Sequence, residues 1–140
     1  MKVQRVYIDT SVIGGCHDDE FSTWSNGLMK DFRLGNFRPI ISRIVTLEIA
    51  DSPDVVKKTY AELLDMDHEL LEITAEATGL SDLYQERGIL TPKFYEDALH
   101  SGLATIAEVD VLVSWKEQGY KSLQIYSPRE VTNYGEDKEF

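Results

Sequence analysis

The chain has 140 residues, 42% hydrophobic and 28% charged, a balance typical of one globular domain with a single core and not of a disordered chain. No apolar run approaches the roughly 20 residues that cross a bilayer, and no basic-then-apolar leader is visible, so we expect no contact with a membrane. The formal net charge of -11 opposes general adhesion to nucleic acid, unless divalent cations or a basic partner invert the local sign.

The first half of the chain is predicted to alternate between strands and helices. Its predicted elements are a strand at 2–9, a helix at 18–37, a strand at 37–42, and helices at 43–50 and 53–66. β-Branched and aromatic residues favour the extended state in the first strand, whereas apolar residues at helical spacing indicate the first helix. Ser42 is suited to cap the helix that follows it, and Pro53 is suited to the first turn of the next one.

The second half continues this alternation. Its predicted elements are a strand at 68–74, helices at 75–88 and 91–109, strands at 109–115 and 122–128, and a polar tail at 133–140. Strands that alternate with helices predict an α/β fold, with a central, mostly parallel β-sheet flanked by α-helices, in one domain over residues 1–140. The single cysteine, Cys16, excludes an internal disulfide and favours a cytoplasmic location.

The first predicted strand ends on an acid that two hydroxyl residues follow, Asp9, Thr10 and Ser11. Ligands of open α/β sheets bind beyond the carboxyl ends of the strands, so we expect Asp9 to point into that crevice. Thr10 or Ser11 can cap the next helix and offer a hydroxyl to a metal ion or its waters. The alternative is that Asp9 or Thr10 is only a helix N-cap, which is common.

Two further acids are candidates for the same site. Glu48 lies in a helix of mainly apolar residues, either at its solvated margin or in a site. A right-handed crossover begins the helix of Asp97 at the carboxyl ends of the strands, beside Asp9. Asp110 follows about ten helical residues later, roughly 15 Å of rise, so we expect it at the opposite end of the sheet. His100 is more typical of a helix surface than of a ligand. Three carboxylates together predict Mg²⁺ or Mn²⁺, which prefer oxygen ligands.

Three segments, "VYIDTSV", "LEI" and "YEDALHSGLATIAEVDVLVSW", resemble the signature blocks of PIN domains, the ribonuclease fold of VapC-type toxins. The resemblance implies a compact sheet flanked by helices and a metal-dependent ribonuclease site. Asp9, Glu48 and Asp97 match the first three acids of the family, which hold Mg²⁺ or Mn²⁺, and Thr10 or Ser11 matches the hydroxyl beside the first acid. The resemblance further implies an RNA substrate, an antitoxin protein as partner and a homodimer.

The chain departs from the family pattern after Trp115. PIN domains carry a fourth acid or an asparagine there, whereas Lys116 cannot ligate a metal ion while it is protonated. Relatives also insert a helical segment before the last strand. Either this chain lacks the segment, which leaves the site incomplete, or a loop is missing from the sequence between residues 115 and 116. A bonded Cα–Cα distance of about 3.8 Å there would exclude the second explanation.

Three functions are compatible with these residues. The first is a metal-dependent endoribonuclease of the PIN class, the toxin of a toxin–antitoxin pair. The second is a catalytically degenerate PIN-fold binding module that acts through protein partners, and it should bind little Mn²⁺. The third is another phosphoryl-transfer enzyme, which Ser11 disfavours because an aspartyl-phosphate site needs a second Asp at that position.

Overall fold

The computed structural model describes residues 2–87, 95–115 and 125–126, with the side chains of all of these except residues 84–85, 95–97 and 125–126. The strands are β1 (Gln4–Ile8), β2 (Phe37–Ser42), β3 (Glu69–Leu71), β4 (Val111–Val113) and β5 (Ile125–Tyr126). The helices are α1 (Thr10–Gly15), α2 (Ser22–Arg33), α3 (Arg43–Ile49), α4 (Asp54–Leu64), α5 (Ala75–Glu86) and α6 (Tyr95–Ile106). Among the helices that the structure describes, none is both long and apolar enough to cross a membrane.

The strands form one sheet in the order β3-β2-β1-β4-β5, and every neighbouring pair is parallel. The chain first winds from β1 toward β3 and then crosses to the other side of β1 to add β4 and β5. The carboxyl ends of β1 and β4 therefore lie side by side at the point where the winding reverses, which is where open α/β sheets bind ligands. The predicted α/β class, with a parallel sheet flanked by helices, is confirmed.

Alternate residues of β1 face two different helical layers. Val6 and Ile8 belong to a buried core formed with residues of the helices α1 to α4. Tyr7 points to the opposite face, where it packs with Leu112 of β4 and Ala104 of α6. The sheet is therefore covered on both sides, as its nearly continuous apolar strands require.

Most predicted boundaries differ from the observed ones at the ends of elements. The strand at 37–42 is confirmed to the residue. The helix predicted over 18–37 is shorter, because the Asp18 side chain accepts a hydrogen bond from the Glu20 backbone N–H and holds a turn before α2. At its other end Gly35 adopts a φ of +78°, which ends the helical path. The predicted strand at 122–128 is described only at residues 125–126, and the tail at 133–140 lies outside the described residues.

The two predicted helix starts also need correction. Ser42 occupies the N-cap position of α3 as predicted. Its side chain makes no capping hydrogen bond there, since its hydroxyl bonds to the Tyr7 hydroxyl. Pro53 is the N-cap residue of α4 and not part of its first turn.

The amino ends of the strands are joined by charged groups. The Arg5 guanidinium donates to both carboxylate oxygens of Glu69, each at 2.8 Å. It also donates to the carbonyl oxygen of Ala107 at 2.8 Å. Asp110 accepts a hydrogen bond of 2.7 Å from the Arg5 backbone N–H. The prediction that Asp110 lies at the end of the sheet opposite Asp9 is therefore confirmed.

Candidate active site

Polar side chains gather at the carboxyl ends of three neighbouring strands. Asp9 directly follows β1, Ser42 is the last residue of β2, and Ser114 directly follows β4. The register pairs Ile8 of β1 with Val113 of β4, so Asp9 and Ser114 come at the same level. This end of the sheet is the crevice predicted from the strand order.

Asp9 is a buried carboxylate, 2% exposed, that is surrounded by hydrogen-bond donors. Its Oδ1 accepts from the Ser11 hydroxyl at 2.5 Å and from the Ser11 backbone N–H at 3.1 Å. Its Oδ2 accepts from the Ser114 hydroxyl at 2.5 Å. These donors offset the loss of water that a buried charge suffers.

Asp9 also caps α1, as the simpler of the two predictions for this segment proposed. Thr10 and Ser11 do not cap the helix, because they are its first two residues. Their hydroxyls instead donate hydrogen bonds to the acids, that of Thr10 to Glu48 and that of Ser11 to Asp9. Asp9 is therefore both the N-cap of α1 and part of the polar cluster at the carboxyl ends of the strands.

Trp115 forms one wall beside Asp9. Its backbone N–H donates to the Ser11 hydroxyl at 3.1 Å, and its indole N–H donates to the Ser25 hydroxyl at 2.9 Å. The indole stacks on the Phe21 ring, with 4.1 Å between the ring centroids. A Cβ on Gly15 would lie 2.6 Å from Ser25 Oγ and 2.7 Å from Trp115 Nε1, so only glycine fits where α1 meets this wall.

Glu48 reaches the same region from α3. Its Oε1 accepts from the Thr10 hydroxyl at 3.0 Å and from His100 Nε2 at 2.8 Å. The side chain is 22% exposed, so it is neither fully buried nor a solvated helix margin. Because Thr10 follows Asp9 in the chain, the structure brings Asp9, Thr10, Ser11 and Glu48 to the same end of the sheet.

Three buried polar residues that the sequence did not assign to the site are linked to Glu48 through His100. The Tyr7 hydroxyl is 2.8 Å from Ser42 Oγ and 2.5 Å from His100 Nδ1. Burial raises the pKa of Tyr7, and the charges of Asp9 and Glu48 raise it further, so the phenol keeps its proton. His100 is 1% exposed, and its assignment to a helix surface was wrong. The signal that could have found it is its position four residues before Ala104, on the sheet-facing side of α6.

The third predicted acid is described only through its backbone. Residue 97 lies in the first turn of α6, three residues before His100, but the side chain of Asp97 lies outside the described residues. Lys116 lies outside them as well. Among the side chains that the structure does describe, no group of three or more histidine, cysteine, aspartate or glutamate residues could hold a metal ion. The three-acid metal site therefore stays a prediction.

The donors that the structure does describe fit a hard cation in their chemistry. Asp9 and Glu48 supply carboxylate oxygens, and Ser11, Thr10 and Ser114 supply hydroxyl oxygens beside them. Mg²⁺ and Mn²⁺ prefer oxygen ligands and bind through few carboxylates while they keep several waters. A site of this composition is suited to such an ion.

Comparison with solved structures finds similar chains over most of the length of this one. A VapBC pair from Rickettsia felis, bound to a DNA fragment from its promoter, is 15% identical with a TM-score of 0.63, over 89% of this chain and 98% of that one. A toxin–antitoxin complex from Klebsiella pneumoniae is 16% identical with a TM-score of 0.61, over 88% and 97% of the two chains.

A VapC toxin from Mycobacterium tuberculosis, described as cleaving the Sarcin-Ricin loop, is 13% identical with a TM-score of 0.57, over 81% of this chain and 92% of that one. No family model and no curated protein sequence matches the chain. The chain has a VapC-like PIN-domain fold, as the three sequence segments predicted.

Proposed function

We propose that the protein is a metal-dependent endoribonuclease of the PIN class and the toxin of a toxin–antitoxin pair. In this proposal Asp9, Glu48 and Asp97 hold Mg²⁺ or Mn²⁺ and the protein hydrolyses RNA phosphodiester bonds. One observation carries it: two acids from distant parts of the chain meet at the carboxyl ends of β1 and β2, each held by a hydroxyl of α1. Ser11 donates to Asp9, and Thr10 donates to Glu48.

The residues around the two acids have defined tasks in this reaction. Ser11 and Ser114 fix the two oxygens of Asp9, while Thr10 donates to Glu48 and limits its movement. A divalent ion, when bound, stabilises negative charge at the scissile phosphate and lowers the pKa of a bound water. Because water is the nucleophile, the chain needs no nucleophilic side chain of its own.

Partners follow from the charge and from the similar structures. The net charge of -11 repels RNA at long range, so approach of the substrate depends on the local positive charge of a bound ion. The Klebsiella structure is a toxin–antitoxin complex, and the Rickettsia structure is a VapBC pair bound to promoter DNA. We extend to this chain an antitoxin partner, a homodimer and a cytoplasmic location as parts of the same proposal.

Cleavage of RNA by the purified chain tests the proposal, with Asp9→Asn as the variant and Asp110→Asn as its matched control. Asparagine keeps the size of aspartate and one of its two acceptor oxygens, but it removes the charge that a metal ligand needs. We expect the wild type and Asp110→Asn to cleave structured RNA with added Mn²⁺, and chelator or Asp9→Asn to abolish cleavage.

Full activity in folded Asp9→Asn protein would defeat the assignment of the site. Absence of cleavage and of Mn²⁺ binding in the wild type would favour the alternative, a degenerate PIN-fold module that acts through protein partners. Lys116, at the position where the family carries its fourth acid, is the feature of this chain that favours that alternative.

A further inference from the structure

Three polar side chains lie buried in the layer between the sheet and α6, and the proposed reaction does not use them. Tyr7 and Ser42 are each 0% exposed, and His100 is 1% exposed. Their neighbours in this layer are apolar, among them Ile40 and Leu112. Buried polar groups destabilise a fold unless they are hydrogen-bonded, and these three bond to one another and, through His100, to Glu48.

An ionised Glu48 carboxylate and a neutral His100 ring together set one direction for the hydrogen bonds between these side chains. A carboxylate only accepts, so the Nε2 atom of His100 carries a proton and donates a hydrogen bond to Glu48. In the neutral imidazole Nδ1 then accepts, and the Tyr7 hydroxyl is its donor. The Tyr7 oxygen in turn accepts from the Ser42 hydroxyl. The order of donation is therefore Ser42 to Tyr7 to His100 to Glu48, and we name these four residues the donor chain.

The donor chain ties a flexible acid to rigid elements. Glu48 lies in a short helix, and its side chain has three rotatable bonds whose freedom must be lost for it to hold a ligand. Tyr7 is the fourth residue of β1 and Ser42 the last of β2, and both are held in the parallel ladders of the sheet. Through His100 the orientation of the carboxylate is set by the sheet and not by α3 alone.

We propose that His100 is a positioning residue for Glu48, held in place by the Tyr7 hydroxyl, which Ser42 orients from β2. This inference rests on the proposed function, in which Glu48 is a metal ligand. Histidines and carboxylates around metal ligands fix ligand orientation, and their loss typically costs about 10- to 100-fold in metal affinity or activity. His100 itself acts through Glu48 and touches neither the metal ion nor the substrate.

Mn²⁺ affinity measured by calorimetry tests the role of the donor chain, in four variants of the full chain. His100→Ala removes the donor to Glu48 and should weaken Mn²⁺ binding about 10- to 100-fold. His100→Gln keeps an N–H at the corresponding distance along the side chain and should recover most of the affinity. Tyr7→Phe removes only the hydroxyl that holds the ring and should also weaken binding.

Tyr60→Phe is the matched control for Tyr7→Phe. The Tyr60 hydroxyl is also paired with a hydroxyl, that of Thr46 at 2.5 Å, and the residue is 7% exposed. It packs on the opposite face of the sheet, in the core that contains Val6 and Ile8. Tyr60→Phe therefore removes a part-buried hydrogen bond between two hydroxyls and should leave Mn²⁺ affinity unchanged. Should Tyr7→Phe not fold, Ser42→Ala removes the outermost member of the donor chain with a smaller change.

Nitrogen-15 spectroscopy of the three histidines gives a readout that does not depend on metal or activity. The His100 signals are assigned by their loss in His100→Gln. We expect the proton on Nε2 in the wild type, with a resonance that shifts in Glu48→Gln and stays in place in Tyr60→Phe. A proton on Nδ1, with Nε2 bare, would overturn the inference.

The two experiments separate this inference from the proposed function. Equal Mn²⁺ affinities of the wild type and His100→Ala would overturn the positioning role. The ribonuclease proposal would remain. Wild type that binds no Mn²⁺ would overturn the ribonuclease proposal, and His100 would then be decided by the nitrogen-15 result alone. A proton on Nε2 that responds to Glu48→Gln supports the positioning of Glu48 in that case too.

Discussion

The two ends of the sheet both carry acids, but the partners of those acids differ. At the amino end, Glu69 accepts two hydrogen bonds from the Arg5 guanidinium, and this pairing lowers the pKa of Glu69 and raises that of Arg5. At the carboxyl end, the donors described around Asp9 and Glu48 are hydroxyls, a backbone N–H and an imidazole. A guanidinium balances the charge of the acid it binds, whereas hydroxyl and N–H donors orient an acid without cancelling its charge.

This difference separates stability from function in one small sheet. Acids that arginine balances contribute to the stability of the fold and have little charge left for a ligand. Acids that neutral donors orient keep negative charge at a defined place, which is what a divalent cation requires. The same substitution at the two ends should therefore have opposite consequences.

The largest effect is expected for Glu48→Gln, which should abolish RNA cleavage while the protein stays folded. The glutamine oxygen still accepts from Thr10 and His100, so the contacts survive, but the charge is lost. Cleavage rates and thermal unfolding of the variant check both parts. Unchanged cleavage by Glu48→Gln would remove the distinction between the two ends of the sheet.

Gly15→Ala should destabilise the protein by about 1–3 kcal/mol, since the new Cβ would collide with Ser25 and Trp115. A Cβ added to the adjacent Gly14 would have nothing within 4 Å, so Gly14→Ala in the same helix is the control. It should leave stability unchanged or raise it by roughly 0.5–1 kcal/mol. Urea unfolding of both variants measures the difference, and equal stabilities would contradict the close packing of Trp115 against α1.

The smallest effect is expected for Glu69→Gln, which should lower stability by about 1 kcal/mol at neutral pH and leave cleavage unchanged. The pKa of Glu69 is lowered in the folded state, mainly by its hydrogen bonds to Arg5. Its contribution is therefore complete above the unfolded-state pKa and disappears as the pH falls through the folded-state pKa. Urea unfolding of wild type and variant at neutral and acidic pH should give curves that converge in acid. A difference that grows in acid would contradict this assignment.

The sequence predicts the fold class, and it predicts the ends of the sheet at which Asp9 and Asp110 lie, for identifiable reasons. Asp9 could be placed because an apolar strand ends on it, and Asp110 because the rise of a helix separates it from that end. The fold class follows from the alternation of strands with helices, which depends on many residues and tolerates errors at single boundaries. For Glu48 the sequence left two alternatives, a solvated helix margin and a site residue. Its hydrogen bonds to Thr10 and His100 became known only from the fold.

The residues that the sequence did not identify are polar side chains whose role depends on contacts across the fold. No local pattern links Ser42, Ser114 or His100 to the site, because the partner of each is far away in the chain. Histidine in a helix is more often exposed, so residue type alone pointed His100 to the surface. Residue 100 could have been found only by weighing its helical face above its polarity.

Titration of the wild type and Asp9→Asn with Mn²⁺ by calorimetry tests the central claim most directly. The account predicts that the wild type binds Mn²⁺ and that binding disappears in the folded variant. Equal binding by both proteins, or none by the wild type, would contradict a metal site at the carboxyl end of the sheet.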